Sequence, residues 1–260
     1  MERKIPFFAL AILLYPLLTA AFIEPGAYSL LAQQPGINPT AQIGGGVSAN
    51  LNIPKVEYLS PLEREIIAEM NLAREQPRVY ASYLEETRKY YNGNQARYPG
   101  RPAENTAEGL SAVDEAIQFL RAASPLPPLE VYKGMSMAAK DHANFLGTSG
   151  NTGHRGGDGS TPNVRVSRYG DWAKSIGENI VYQATTTARE SVMGLIVDDG
   201  NAGRGHRKNI FDSTYRAAGI SLGERSDQGT LCVITFAGEF MDKGAAAATA
   251  PAGKTAVRKY

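Results

Sequence analysis

Cysteine, histidine and tryptophan are scarce in this chain: 260 residues contain one Cys, three His and one Trp. With Cys232 alone, no internal disulfide can close. The fold must therefore rest on its own apolar core, which a chain of this length can supply. Charge of one sign is also lacking. Lys and Arg total 27 against 26 Asp and Glu, so the net charge is +1. That balance, and the absence of any basic run interleaved with aromatics, excludes nucleic acid and an anionic membrane surface as expected partners. No apolar run reaches the ~20 residues that span a bilayer comfortably. What remains is an ordinary globular composition, 43% apolar and 20% charged.

The N-terminus has the layout of an export signal. Arg3 and Lys4 precede an apolar run over 5–18, broken by Pro6 and Pro16, and Thr19-Ala20-Ala21 offers small residues for cleavage. Residues 1–21 are thus expected to act as a signal peptide, which places the protein outside the cell or in its envelope; a retained N-terminal anchor is the alternative. Residues 22–56, rich in Gln, Pro, Gly and Asn, read as a disordered linker, and 244–260 as a disordered Ala/Thr/Gly/Lys tail. The folded body is one domain over 57–243.

Within it, Ser60-Pro61-Leu62-Glu63 predicts a capped helix start, with Pro77 ending or breaking that segment. A second helix is expected over 80–91, a polar loop over 92–106, and a helix over 111–122. Met135, Ala138, Ala139, His142 and Leu146 share one helical face, which makes His142 a core residue and not a site residue. A long Gly-rich loop is expected over 147–171, with a short strand over 179–183. Thr187 and Glu190 then predict a capping box opening a helix whose inner face, Val192, Leu195 and Ile196, extends to Asp199; Asp198 points about 100° away. Strands over 217–223 and 230–237, joined by a loop over 224–229, close the domain. Helices first and antiparallel strands last argue for an α+β fold.

Three short motifs stand out. His154 lies in Gly153-His154-Arg155-Gly156-Gly157-Asp158-Gly159, Glu178 in Gly177-Glu178-Asn179, and His206 in Gly205-His206-Arg207-Lys208-Asn209-Ile210. Gly-rich loops beside acids put an imidazole nitrogen within reach of a ligand. In this order, with a helix upstream and a strand pair downstream, they resemble the signature of the CAP superfamily, the cysteine-rich secretory, antigen 5 and pathogenesis-related-one proteins, also called SCP domains. The resemblance runs over about 60–240 and implies a three-layer α-β-α sandwich with a mainly antiparallel central sheet. It also implies a cavity lined by two histidines and two acids. His154, Glu178 and His206 match directly. Where the family usually carries a glutamate, this chain has Asp198-Asp199; Asp199 is the expected fourth member and Asp198 the second choice.

Two imidazoles with one or two carboxylates suit a divalent metal ion, zinc foremost. A hydrogen-bonded His/acid network without metal is the equal alternative. Three functional readings follow: an exported module binding a divalent metal, a small or lipidic ligand or an envelope component; a metal-assisted hydrolase of an envelope polymer or peptide, with Glu178 or Asp199 as base; and a structural envelope protein. The first is preferred, so the chain is not expected to be a well-defined enzyme. Cys232, among apolar strand residues, is expected to be buried and inert.

Overall fold

The computed structural model describes residues 51–182, 187–225 and 229–244. The export signal, all but the last residues of the linker, and the tail beyond 244 lie outside the described residues. Among the described residues, no helix is long and apolar enough to cross a membrane.

α1 (Pro61–Glu75) begins as its sequence predicts. Ser60 Oγ accepts the Glu63 N–H at 3.3 Å, and the Glu63 carboxylate accepts the Ser60 N–H at 2.7 Å. Pro77 does not merely stop this helix; it opens the next, α2 (Pro77–Thr87), from a first-turn position where its missing N–H has no helical partner to lose. A 3-10 turn, Arg88–Tyr90, follows. The stretch expected as a loop holds a small antiparallel sheet of β1 (Tyr91–Asn92), β2 (Gln95–Ala96) and β3 (Glu104–Asn105). Next come α3 (Leu110–Ala122), β4 (Glu130–Val131) and α4 (Lys133–Ser149). The expected 147–171 loop contains α5 (Pro162–Ser167). The expected short strand is β5 (Gly170–Tyr182), far longer than its apolar residues suggest. α6 (Ala188–Val197), α7 (Gly205–Ile210), β6 (Ala217–Arg225) and β7 (Gly229–Asp242) complete the order. At the start of α6 only half of the expected capping box forms. Thr187 Oγ accepts the Glu190 N–H, while the Glu190 carboxylate binds Arg101.

The main sheet runs β4-β6-β7-β5, with β4 parallel to β6 and the other pairs antiparallel. Its period-two alternation sorts side chains between two helical layers. Cys232, Ile234 and Phe236 of β7 join Ala218 and Ile220 of β6 against α1, α2, α3 and α6. Leu231 and Val233 face Ala139, Ala143 and Leu146 of α4, and Ala237 joins Met135 and Ala138. The result is the α-β-α sandwich with a mainly antiparallel sheet. Each large side chain buried in these layers contributes about 1.5–3 kcal/mol.

β5 is an edge strand. Ile180 and Tyr182 pack on the α4 side and Val181 on the other. By the same alternation Glu178 sides with α4, while Asn179 sides with the opposite layer. This alternation positions the site.

Candidate functional site

In the structure the three motifs form two His/carboxylate dyads beside the β5 edge. On the α4 side, His154 Nδ1 lies 2.9 Å from Glu178 Oε1. The Glu178 side chain is buried, and Arg165 of α5 donates to both of its oxygens, at 3.0 and 2.7 Å. Arg165 is itself buried, and its second nitrogen binds the carbonyls of His154 and Ser160. On the other side, His206 Nδ1 lies 2.7 Å from Asp198 Oδ1, and the His206 N–H donates to Asp198 Oδ2 at 2.9 Å. Two asparagines lace the dyads together. Asn179 Nδ2 donates to the His206 carbonyl, and Asn209 Nδ2 donates to the Glu178 carbonyl and to Asn179 Oδ1, at 2.8 Å for the last. Gly177 is required by this docking: a Cβ there would meet Tyr215 Oη at 2.5 Å and Asn209 Oδ1 at 3.3 Å.

The fourth position differs from the periodicity argument. α6 ends at Val197, and Asp198 adopts a left-handed conformation, φ 53 and ψ 45. The helical repeat that placed Asp199 inward therefore stops one residue too early to apply. Asp198 is buried against His206, and Asp199 is turned outward. The Asp199 carboxylate accepts the N–H groups of Ala107, Glu108 and Gly109, at 2.6, 2.8 and 3.1 Å, and so anchors the chain just ahead of α3. Asp199→Ala is expected to cost about 1–2 kcal/mol through those lost bonds. That lowers the melting temperature by a few degrees, on a scale of about 2–4 °C per kcal/mol, and leaves the chemistry of His206 unchanged. Asp198→Ala should instead release the His206 ring, because it removes the acceptor of both the His206 N–H and Nδ1. Melting curves and histidine NMR of the two variants check this.

Burial alone would raise the Asp198 pKa, but hydrogen bonds and charge from His206, with the Asn201 amide, hold it below the ordinary aspartate value. It stays an anion beside the ring. The loop carrying it is braced by ion pairs. Arg204 binds Glu108 and Glu115, and Arg207 binds Glu115 together with the carbonyls of Ile196 and Val197. Those arginines lower the Glu108 and Glu115 pKa values.

A carboxylate at neutral pH only accepts, so each Nδ1 carries a proton, and in the neutral form of the ring Nε2 keeps its lone pair. Neither Nε2 has a hydrogen-bond partner among the described residues. The His154 side chain is 55% exposed and that of His206 32%. A carboxylate on the far nitrogen is the arrangement that orients a metal-ligating imidazole. The carboxylates themselves are committed elsewhere: Glu178 to Arg165, Asp198 to His206 and Asn201, Asp199 to the approach to α3. Accordingly, no group of three or more His, Cys, Asp or Glu side chains among the described residues is gathered to hold a metal. Each dyad thus offers one imidazole nitrogen as a donor, and the described residues form no cage of four protein ligands.

Two surface clefts lie away from both dyads. One of about 530 Å³ is lined by Glu85, Arg88, Asp114 and Arg121, and one of about 450 Å³ by residues around Pro77 and Pro125. Cys232 is buried, and burial pushes its thiol far above the usual range, which leaves it without thiolate chemistry.

Arg165, Asn209 and Glu115 were not legible as site residues. The available signal for the first was Thr161-Pro162, a helix-start pair that puts Arg165 on a short helix. His142, expected to be a core residue, is fully buried as its helical face requires, yet it lies 3.8 Å from Glu178.

A family model described as CAP, Cysteine-rich secretory protein family, matches residues 80–236, more than half of the chain. No curated protein matches. Among solved structures, the chain is similar to venom allergen-like protein 4 of Schistosoma mansoni, with 18% identity, 69% of this chain and 89% of that chain covered, and a TM-score of 0.39. It is similar to an outer surface protein of Borrelia burgdorferi, with 19% identity, 43% and 78% covered, and a TM-score of 0.36. A third is NaASP2 solved with Zn2+, with 14% identity, 71% and 83% covered, and a TM-score of 0.36.

Proposed function

Because the chain belongs to the CAP family, the cysteine-rich secretory proteins, we propose that it is an exported binding module that holds a divalent cation on His154 and His206. The observation that carries this reading is the pair of carboxylate-oriented, partly exposed rings, each with an Nε2 that has no hydrogen-bond partner among the described residues. Two imidazoles favour zinc among common divalent ions. A zinc ion held there would supply a Lewis acid with coordination positions open to water or to an oxygen ligand from the cell envelope. Glu178 and Asp198 orient the rings. Export is supported by the basic start and broken apolar run of residues 1–21.

The hydrolase reading is weaker. Glu178, one candidate base, has both oxygens held by a buried guanidinium, and Asp199, the other, has three backbone N–H donors. Neither is free to take a proton from a water.

The test is a zinc titration of the full chain by calorimetry and thermal melting, beside His154→Ala, His206→Ala and the double variant. One equivalent of zinc should bind and stabilise the wild type, by about 2.7 kcal/mol at a hundredfold excess over Kd. Either single substitution should remove that gain. Equal stabilisation of wild type and double variant would overturn the reading.

A further inference from the structure

The loop before His154 is bound by side chains at nearly every residue. Arg225 of β6 donates to the carbonyls of Gly150 and Asn151, at 2.8 and 2.6 Å. Tyr182 of β5 accepts the Gly153 N–H at 2.8 Å. The Gly153 carbonyl meets His142 Nε2 of α4 at 2.9 Å, and the His154 carbonyl accepts from Arg165 of α5 at 3.1 Å. Exposed Gly-rich loops are ordinarily mobile. Here four elements of the fold converge on five consecutive residues, and the segment they fix ends in an imidazole that is half exposed. A half-exposed ring on a free loop would sample many orientations, and one bond to Glu178 would compete poorly with water. A ring on a clamped backbone is pre-organised.

The geometry points to His142 as the positioning residue of His154: its buried Nε2–H holds the Gly153 carbonyl and so aims the His154 ring at Glu178. Two features single it out among the clamps. Its bond falls on the peptide joining Gly153 to His154, so a rotation of that peptide moves the His154 Cα directly. It is also the clamp whose ring lies beside Glu178 without binding it, at 3.8 Å, so it fixes the backbone while leaving the Glu178 oxygen to His154. A carbonyl can only accept, so the His142 proton sits on Nε2. Its Nδ1 is then a buried acceptor, and that atom has no partner among the described residues. A residue kept only for packing would avoid such an atom, because leucine or methionine fills the same space without an unpaired acceptor. Burial lowers the His142 pKa, against the pull of Glu178, which keeps the ring neutral and able to donate from Nε2 alone. The part played by the donor is therefore separable from the part played by the volume.

This inference rests on His154 being a working group, but its test does not require a metal. His142→Leu keeps the volume and removes the donor; His142→Gln keeps a donor amide near the position of Nε2. In the metal-free full chain, two quantities are read by NMR: hydrogen exchange of the Gly153 amide and the tautomer of His154 from long-range proton–nitrogen correlations. The wild type should show a protected amide and the Nδ1–H tautomer. His142→Leu should lose protection at least tenfold and show mixed tautomers while the core amides stay protected. His142→Gln should restore both. A His142→Leu protein with the wild-type tautomer and exchange, or a folded His142→Gln protein that fails to recover them, overturns the assignment. If the wild type binds zinc, its affinity should fall about tenfold in His142→Leu, at the lower end of the effect of losing a ligand-orienting partner. If the wild type binds none, the binding proposal fails and the tautomer comparison still decides the role of His142.

Discussion

Arg165→Met should be among the most damaging single substitutions in the domain, with a loss of about 3–5 kcal/mol. The Arg165 and Glu178 side chains are both 1% exposed, and the guanidinium holds both carboxylate oxygens. Removing it leaves a buried anion whose remaining hydrogen-bond partner is His154, orphans the His154 carbonyl, and leaves the Ser160 carbonyl with the Gly156 N–H alone. The paired substitution Arg165→Met/Glu178→Met should be less destabilising than Arg165→Met alone, because it removes the unpaired charge together with the cation. The His154 dyad is lost in the paired variant. Chemical denaturation of the three proteins measures this directly. Equal stability of Arg165→Met and wild type would mean that the ion pair is not buried as described.

Gly219→Ala should be comparably severe for a different reason. A Cβ at this β6 position would lie 2.2 Å from the Met135 backbone carbon and 2.3 Å from the Ser136 nitrogen. Both obstacles are main chain of α4, so no rotamer change relieves them. Either α4 lifts off the sheet or β6 bends away. Ordinary overpacking costs about 1–3 kcal/mol, and a clash of backbone against backbone belongs at or above the top of that range. The consequence extends to function, because α4 carries His142. A shift of the helix moves the clamp on Gly153 as well as the packing of Met135 and Ala138. The expected result is a lower melting temperature together with loss of Gly153 amide protection. A melting temperature within a degree of wild type would contradict the close approach of α4 to β6.

How much of this was legible in the chain depends on which physical signal each feature left. The start of α1 was legible because Ser60, Pro61 and Glu63 act through local bonds that need no tertiary context. The α4 face was legible because its apolar positions repeat at the helical period and are buried. His154, Glu178 and His206 were readable as a set from motif order, but their partners were not. The first half of β5, Gly-Asp-Trp-Ala-Lys-Ser, is polar and contains a register shift between Ala173 and Ile176, so no alternation marks it as strand. α5 has only six residues, too few for a period. Asp199 was misplaced because the periodic argument ran past the helix end. The left-handed turn at Asp198 reverses which aspartate faces in, and a single side chain gives no sign of its backbone angle. Arg165 found Glu178 through tertiary folding, which no local spacing encodes.

In the proposed function His154 and His206, each held by a carboxylate on Nδ1, both offer Nε2 to one divalent cation. Long-range proton–nitrogen NMR of the ¹⁵N-histidine-labelled full chain, before and after one equivalent of zinc, tests it most directly. Both rings should be Nδ1–H tautomers at neutral pH in the metal-free protein. Zinc should shift the Nε2 resonances of His154 and His206 together and leave His142 unmoved. Nε2–H tautomers, or Nε2 resonances that ignore the metal, would contradict it.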